Sequence, residues 1–194
     1  IIVVVVVIGI LAAISIVVYT GVQDRAKNTQ LLSVFDAYDK ALKIYYSNTG
    51  TYPESPGDIN SCAGGGYTAT ADFGENECQK RNGLPATTVR SVFDTALASV
   101  LGDEKPAVNP ATSYSGPNPN DGSPLKVRGL LYNGGQNLPG SYVAVMFYYM
   151  RGTHSCGRGT ALHANVGGVD YTQCAVKYEN GTQVPVTGIL QIFL

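Results

Sequence analysis

Ile1-Ile2-Val3-Val4-Val5-Val6-Val7-Ile8-Gly9-Ile10-Leu11-Ala12-Ala13-Ile14-Ser15-Ile16-Val17-Val18 is the stretch on which the fold reading turns. It carries no charge, and Ser15 is its one polar side chain. As a helix rising ~1.5 Å per residue it is roughly 27 Å long, close to the hydrocarbon thickness of a bilayer. Tyr19, which follows, suits a membrane interface. A secretory signal peptide would show a basic leading segment, a shorter apolar core and a cleavage site of small residues. The run has no basic leader, and the helical pattern continues through Leu11-Ala12-Ala13. Residues 1–19 are therefore expected to form an apolar helix half that anchors the chain, and residues 20–194 a globular head that includes the rest of the helix.

From Thr20 to Ser47 the pattern becomes amphipathic. Leu31, Phe35, Tyr38, Leu42 and Tyr45 recur at helical spacing and mark a stripe that packs on a sheet. Asp24, Arg25, Lys27, Asp36, Asp39, Lys40 and Lys43 occupy the other faces and read as a solvated surface. One helix is thus expected from the N terminus to about Ser47, roughly 70 Å long. Asn48-Thr49-Gly50 closes it: Gly50 can take a left-handed cap, and Pro53 blocks continuation.

The string Val7-Ile8-Gly9-Ile10-Leu11-Ala12-Ala13-Ile14, together with the helix exit Tyr45 to Pro53, resembles the N-terminal region of type IV pilins and pseudopilins. The likeness covers roughly the first fifty residues. In that family a leader peptidase cuts just before the apolar segment, and a glutamate a few residues into the mature chain guides assembly. Aligned on Gly9, this sequence begins immediately after that glutamate, so leader, cleavage site and glutamate are absent from it. The resemblance implies an α+β fold, with the long helix (a membrane-spanning half and an amphipathic half) packed on a four-stranded antiparallel sheet. It also implies that the segment from Gly9 to Val17 unwinds in the assembled fibre.

Composition bounds the remainder. The 194 residues are 44% hydrophobic and only 14% charged, with a net charge of −1, which allows one core and gives no basic excess for nucleic acid. Cys62, Cys78, Cys156 and Cys174 make an even count beyond an apolar segment, which favours disulfides in an oxidising compartment. Three pairings can be drawn, and the sequence-local ones, Cys62 with Cys78 and Cys156 with Cys174, are expected.

Pro53 to Gly83 reads as loop. Asp58, Asp72, Glu75 and Glu77 supply hard oxygens of the kind calcium takes, but without EF-hand spacing, and no metal is expected. Thr87 or Thr88 is expected to cap a second helix reaching Leu101, with Val89, Val92, Phe93, Ala96, Leu97, Val100 and Leu101 on its packing stripe and Gly102 ending it. Pro106 to Pro124, with five prolines, reads as an extended surface loop. Four strands are expected after it: Leu125–Tyr132, Ser141–Met150, Thr172–Tyr178 and Val186–Leu194. Turns are expected at Asn133-Gly134-Gly135 and Glu179-Asn180-Gly181.

Enzymatic signals are weak. His154-Ser155-Cys156 with His163 matches no zinc spacing, and a disulfide at Cys156 would remove any thiol chemistry. There is no nucleophile elbow, P-loop, HExxH or dinucleotide glycine pattern, so neither catalysis nor a cofactor is expected. Asn180-Gly181-Thr182 fits the glycosylation sequon. The resemblance implies a structural subunit, a major pilin, held in the cytoplasmic membrane before assembly. The assembly machinery then packs it helix to helix into a homo-oligomeric surface filament, with Ile1 to Val18 at the core. Such filaments serve motility, adhesion to surfaces or host cells, or DNA uptake. A minor pilin, a secretion pseudopilin, or an anchored extracytoplasmic binding module or enzyme are the alternatives.

Overall fold

A computed structural model describes residues 2–55, 60–89, 91–102, 105–108, 111, 113–118, 122–138 and 141–186, with the backbone alone for 12–18, 20, 91, 135–138 and 141–142. Helix α1 runs Ile2–Thr49. Its end is set locally: Gly50 takes φ +72° and its N–H donates to the Tyr46 carbonyl at 2.8 Å, an arrangement that a side chain would strain. Among the described residues no helix is long and apolar enough to cross a membrane, which corrects the expectation of a membrane-spanning half.

The strands are β1 Ser61–Ala63, β2 Glu77–Arg81, β3 Thr87–Thr88, β4 Tyr114–Pro117, β5 Pro124–Val127, β6 Leu130–Leu138, β7 Ser141–Arg151, β8 Thr160–Val166, β9 Val169–Glu179 and β10 Thr182–Val184, with α2 at Ser91–Leu101. They form two sheets, which corrects the fold expected from the sequence, a helix on one four-stranded sheet. One sheet has six strands in the order β1-β6-β7-β9-β10, with β8 also on β9; the other has four in the order β3-β2-β5-β4. All the strand pairings are antiparallel.

The apolar run Leu125 to Tyr132 looks continuous but is two strands in different sheets. Gly129, at φ +68°, turns the chain between β5 and β6. Arg128 at this corner is fully buried, yet its charge is met from several sides. Its guanidinium donates to the carbonyls of Glu77 (2.7 Å), Thr68 (2.6 Å) and Gly74 (3.0 Å), and it lies 4.7 Å from the centroid of the Phe73 ring. Desolvation lowers its pKa, as expected of a buried cation. The Cys62–Cys78 disulfide joins β1 of the large sheet to β2 of the small one beside this corner.

Asn133-Gly134-Gly135 is not a turn but lies inside β6, with a register shift between Gly134 and Gln136. The glycine answers a close approach. A Cβ at position 134 would sit 1.9 Å from the Tyr132 hydroxyl, which reaches past it to donate to the Pro53 carbonyl at 2.7 Å. Thr87 and Thr88 do not cap α2. They form β3, where the Thr87 hydroxyl donates to the Gln79 side-chain carbonyl at 3.0 Å. Within α2, Phe93 and Leu97 are buried but Val92 is exposed, so its packing stripe is narrower than the spacing suggests. β1 and β2 interrupt the expected Pro53–Gly83 loop, and β4 interrupts the Pro106–Pro124 loop. β8 was not expected at all. Of the last expected strand, residues 187–194 lie outside the described residues.

The core lies mainly between α1 and one face of the large sheet. Phe35 meets Tyr148 of β7 at a ring separation of 5.2 Å. Tyr38, Phe93 and Tyr132 form a column with separations of 5.8 and 4.3 Å that ties α1, α2 and β6 together. On the opposite face of the large sheet, Tyr114 of β4 stacks on Tyr149 of β7 at 4.6 Å. The large sheet is therefore covered by α1 on one side and by an edge of the small sheet on the other.

Candidate assembly interface

Helix α1 carries an exposed apolar segment, Ile2 to Leu11, and a clamped segment further along. Ile2, Val3, Val4, Val5, Val6, Val7, Ile8, Ile10 and Leu11 are exposed, from 49% at Val7 to 81% at Ile2. Backbone helix is continuous through Gly9, and a Cβ there would meet nothing within 4 Å. Of the expected filament-core residues, Ile1 lies outside the described residues, and Ala12, Ala13, Ile14, Ile16, Val17 and Val18 are described in backbone only, as part of α1. Fully burying a Val, Ile or Leu side chain contributes about 1.5–3 kcal/mol. Covering even half of this surface is therefore worth on the order of 10 kcal/mol. Exposed apolar surface of this extent marks an interaction site.

The clamped segment carries the expected packing stripe. Leu31, Phe35, Tyr38 and Leu42 are buried, and Tyr45 is partly buried against the same core. Tyr38 also accepts a hydrogen bond from the Gly64 N–H at 2.9 Å, and burial pushes its hydroxyl up to about 12.

Asp39 corrects the reading of a solvated charged face. It is 1% exposed and accepts four side-chain hydrogen bonds. Its Oδ1 accepts from the Tyr178 hydroxyl (2.8 Å) and from Gln183 Nε2 (2.7 Å); its Oδ2 accepts from Lys43 Nζ (2.8 Å) and Arg158 Nη1 (2.7 Å). Burial and the Asp39 charge both hold the Tyr178 hydroxyl well above its ordinary range. Arg158 is carried by the segment between β7 and β8, which the Cys156–Cys174 disulfide pins to β9. Asp36, one turn away and exposed, lies 3.8 Å from the same guanidinium and fits the solvated reading. Asp39 neighbours the stripe residue Tyr38 and falls four after Phe35, so its position on the helix wheel was the available signal.

Two of the acidic residues weighed for calcium, Asp72 and Glu77, are engaged elsewhere. Asp72 pairs with Lys126 at 2.5 Å. Glu77 accepts from the Gly74 N–H at 2.6 Å and pairs with Lys80 at 3.1 Å. The Gly74 bond is the main cause holding the Glu77 carboxyl below its usual range. Asp58 lies outside the described residues, and among those described no three metal-binding side chains converge.

The two histidines meet through Thr172. Its hydroxyl donates to the Gly152 carbonyl (2.8 Å) and is approached by the His154 backbone N–H (2.9 Å) and by His163 Nδ1 (3.1 Å). Cys156 is in a disulfide, so it is neither a thiol nucleophile nor a zinc ligand. Asn180, at φ +47°, forms the turn into β10 as expected, leaving the sequon at an exposed bend. No family model, curated protein or solved structure matches the chain.

Proposed function

We propose that this chain is a structural subunit, a major pilin, of a type IV pilus-like filament. The exposed apolar segment of α1 packs against the same segment of neighbouring copies, and the heads form the outer surface. The observation that carries this reading is the division of α1. One segment is locked into the head by Leu31, Phe35, Tyr38, Leu42 and the Asp39 cluster, while Ile2 to Leu11 extend as one exposed apolar rod. A rod rigidly joined to its head transmits packing at the fibre centre into a fixed placement of the head. The two disulfides suit a head that works in an oxidising environment. The resemblance of Val7 to Ile14 to pilin N termini supports the same reading, with extraction and packing driven by a separate assembly machinery.

Electron microscopy of the filament fraction sheared from producing cells, with mass spectrometry of its subunits, tests the proposal. Thin fibres built mainly of this chain are expected. Fibres that lack it, with the chain recovered as separate monomers, would overturn the reading.

A further inference from the structure

A small polar recess lies where the large sheet ends against α1. β7 stops at Arg151, whose register partner on β9 is Tyr171. The Asn28 amide of α1 donates to the Arg151 carbonyl at 3.0 Å and holds one turn of the helix against this end of the strand. Asp24, Lys27, Asn28, Arg151 and Tyr171 line a recess of about 70 Å³ there, and Ala111 and Ser113, from the segment before β4, complete its wall. None of the seven residues is buried, so the recess is open to solvent.

The charges in this wall do not balance. Lys27 and Arg151 are positive, and Asp24 alone is negative. Asp24 Oδ2 lies 3.6 Å from Arg151 Nε, an ion pair too long to be a hydrogen bond. Among the described residues neither the Arg151 guanidinium nor the Lys27 ammonium donates a hydrogen bond. The Ser113 hydroxyl, by contrast, is committed to the Val127 carbonyl at 3.1 Å. The recess therefore presents one uncompensated positive charge, with a planar fork and a point charge both free to donate. A guanidinium fork matches the two oxygens of a carboxylate. A dianion fits less well, because its second charge would face Asp24 without a partner. A water takes up ~30 Å³ in the liquid, so the space is that of a carboxylate head, with the rest of the ligand projecting outward.

We propose that this recess is a binding site for a carboxylate monoanion. The Arg151 guanidinium takes its two oxygens side on, the Lys27 ammonium supplies the second positive charge, and Asp24 sets the selection against dianions. The site sits on the head, on the clamped part of α1 rather than on Ile2 to Leu11, and does not depend on the filament reading.

NMR titration of the full chain in a nonionic detergent at constant ionic strength, read at the Tyr171 ring and the Arg151 Nε–H, tests this. Acetate is expected to give a saturable shift at both, methyl acetate none, and hydrogen phosphate dianion binding at least threefold weaker than acetate. Arg151→Gln and Lys27→Gln, both at solvent-open positions, should each weaken acetate at least tenfold at the Tyr171 ring. Asp24→Asn should strengthen acetate and bring the phosphate dianion level with it or above. Glucuronate separates the two sources of the group: binding at least threefold tighter than acetate assigns a carboxylate carried on a sugar, and equal binding assigns the carboxylate alone. No saturable shift with acetate, the same shift with chloride, phosphate binding tighter than acetate in the wild type, or acetate binding unchanged in Lys27→Gln would each overturn the proposal.

Discussion

The hydroxyl of Tyr178 on β9 donates to the carboxylate of Asp39 on α1 at 2.8 Å, joining residues 139 positions apart. Lys43, Arg158 and Gln183 complete the shell around the same carboxylate. This cluster fixes the rotation of the helix against the sheet, because the apolar stripe beside it could slide while a four-bonded carboxylate could not.

Asp39→Ala removes one member of a buried charged network and is expected to destabilise the chain by about 3 kcal/mol. Asp36→Ala, at an exposed carboxylate 3.8 Å from the same arginine, is expected to change stability by less than about 0.5 kcal/mol. Urea unfolding of both variants checks the contrast. Equal effects would mean that Asp39 is no more than a surface charge.

Alkaline stability follows from the buried tyrosines. Tyr38, Tyr52 and Tyr148, ordinarily near 10, are pushed up to about 12, chiefly by burial. Their folded-state pKa values are raised, so between these values the folded state holds protons that the unfolded state has released. The stability they contribute is fully present below about pH 10 and is lost as pH rises through about 12. The melting temperature should fall steadily above pH 10, with tyrosinate absorbance lagging behind that of a denatured control.

Cys62→Ala with Cys78→Ala is expected to cost about 3 kcal/mol by freeing a loop of 16 residues in the unfolded chain. This pair also joins the two sheets, so the variant should show faster amide exchange in β2 and β5 than in β7 and β9. Uniform exchange across both sheets would contradict the placement of the staple.

Gly134→Ala places a methyl group 1.9 Å from the Tyr132 hydroxyl and is expected to destabilise by about 2 kcal/mol or more. Combining it with Tyr132→Leu, which removes the obstructing ring, should cost less than the sum of the two single changes. Strict additivity in thermal unfolding would rule out the close approach as the reason for glycine.

How much of this was legible in the sequence depended on whether the deciding force was local. Gly50 and Gly102 end their helices, and Asn180-Gly181 makes its turn, because φ preference acts within a few residues. The sequence-local cysteine pairs were likewise the expected ones. The sheet count was not legible. Leu125 to Tyr132 is uniformly strand-like in composition, and only the fold decides that the Arg128-Gly129 corner sends its halves to different sheets. Gly134 signals a turn until the path of Tyr132 is known. β8, TALHANV, lacks clear alternation and becomes a strand through its pairing with β9. Asp39 was missed because polar residues are assigned to the surface by default, and its burial depends on Tyr178, Arg158 and Gln183, far away in sequence.

The central claim, that Ile2 to Leu11 are covered by the same segment of other copies, is tested most directly by a photo-cross-linking side chain at Val6 in producing cells. The account predicts a ladder of multimers of this chain, with both cross-linked sites mapping to α1, and no ladder from the same group at Val92, which is exposed on the head. Monomer alone from Val6, or cross-links solely to a different protein, would contradict it.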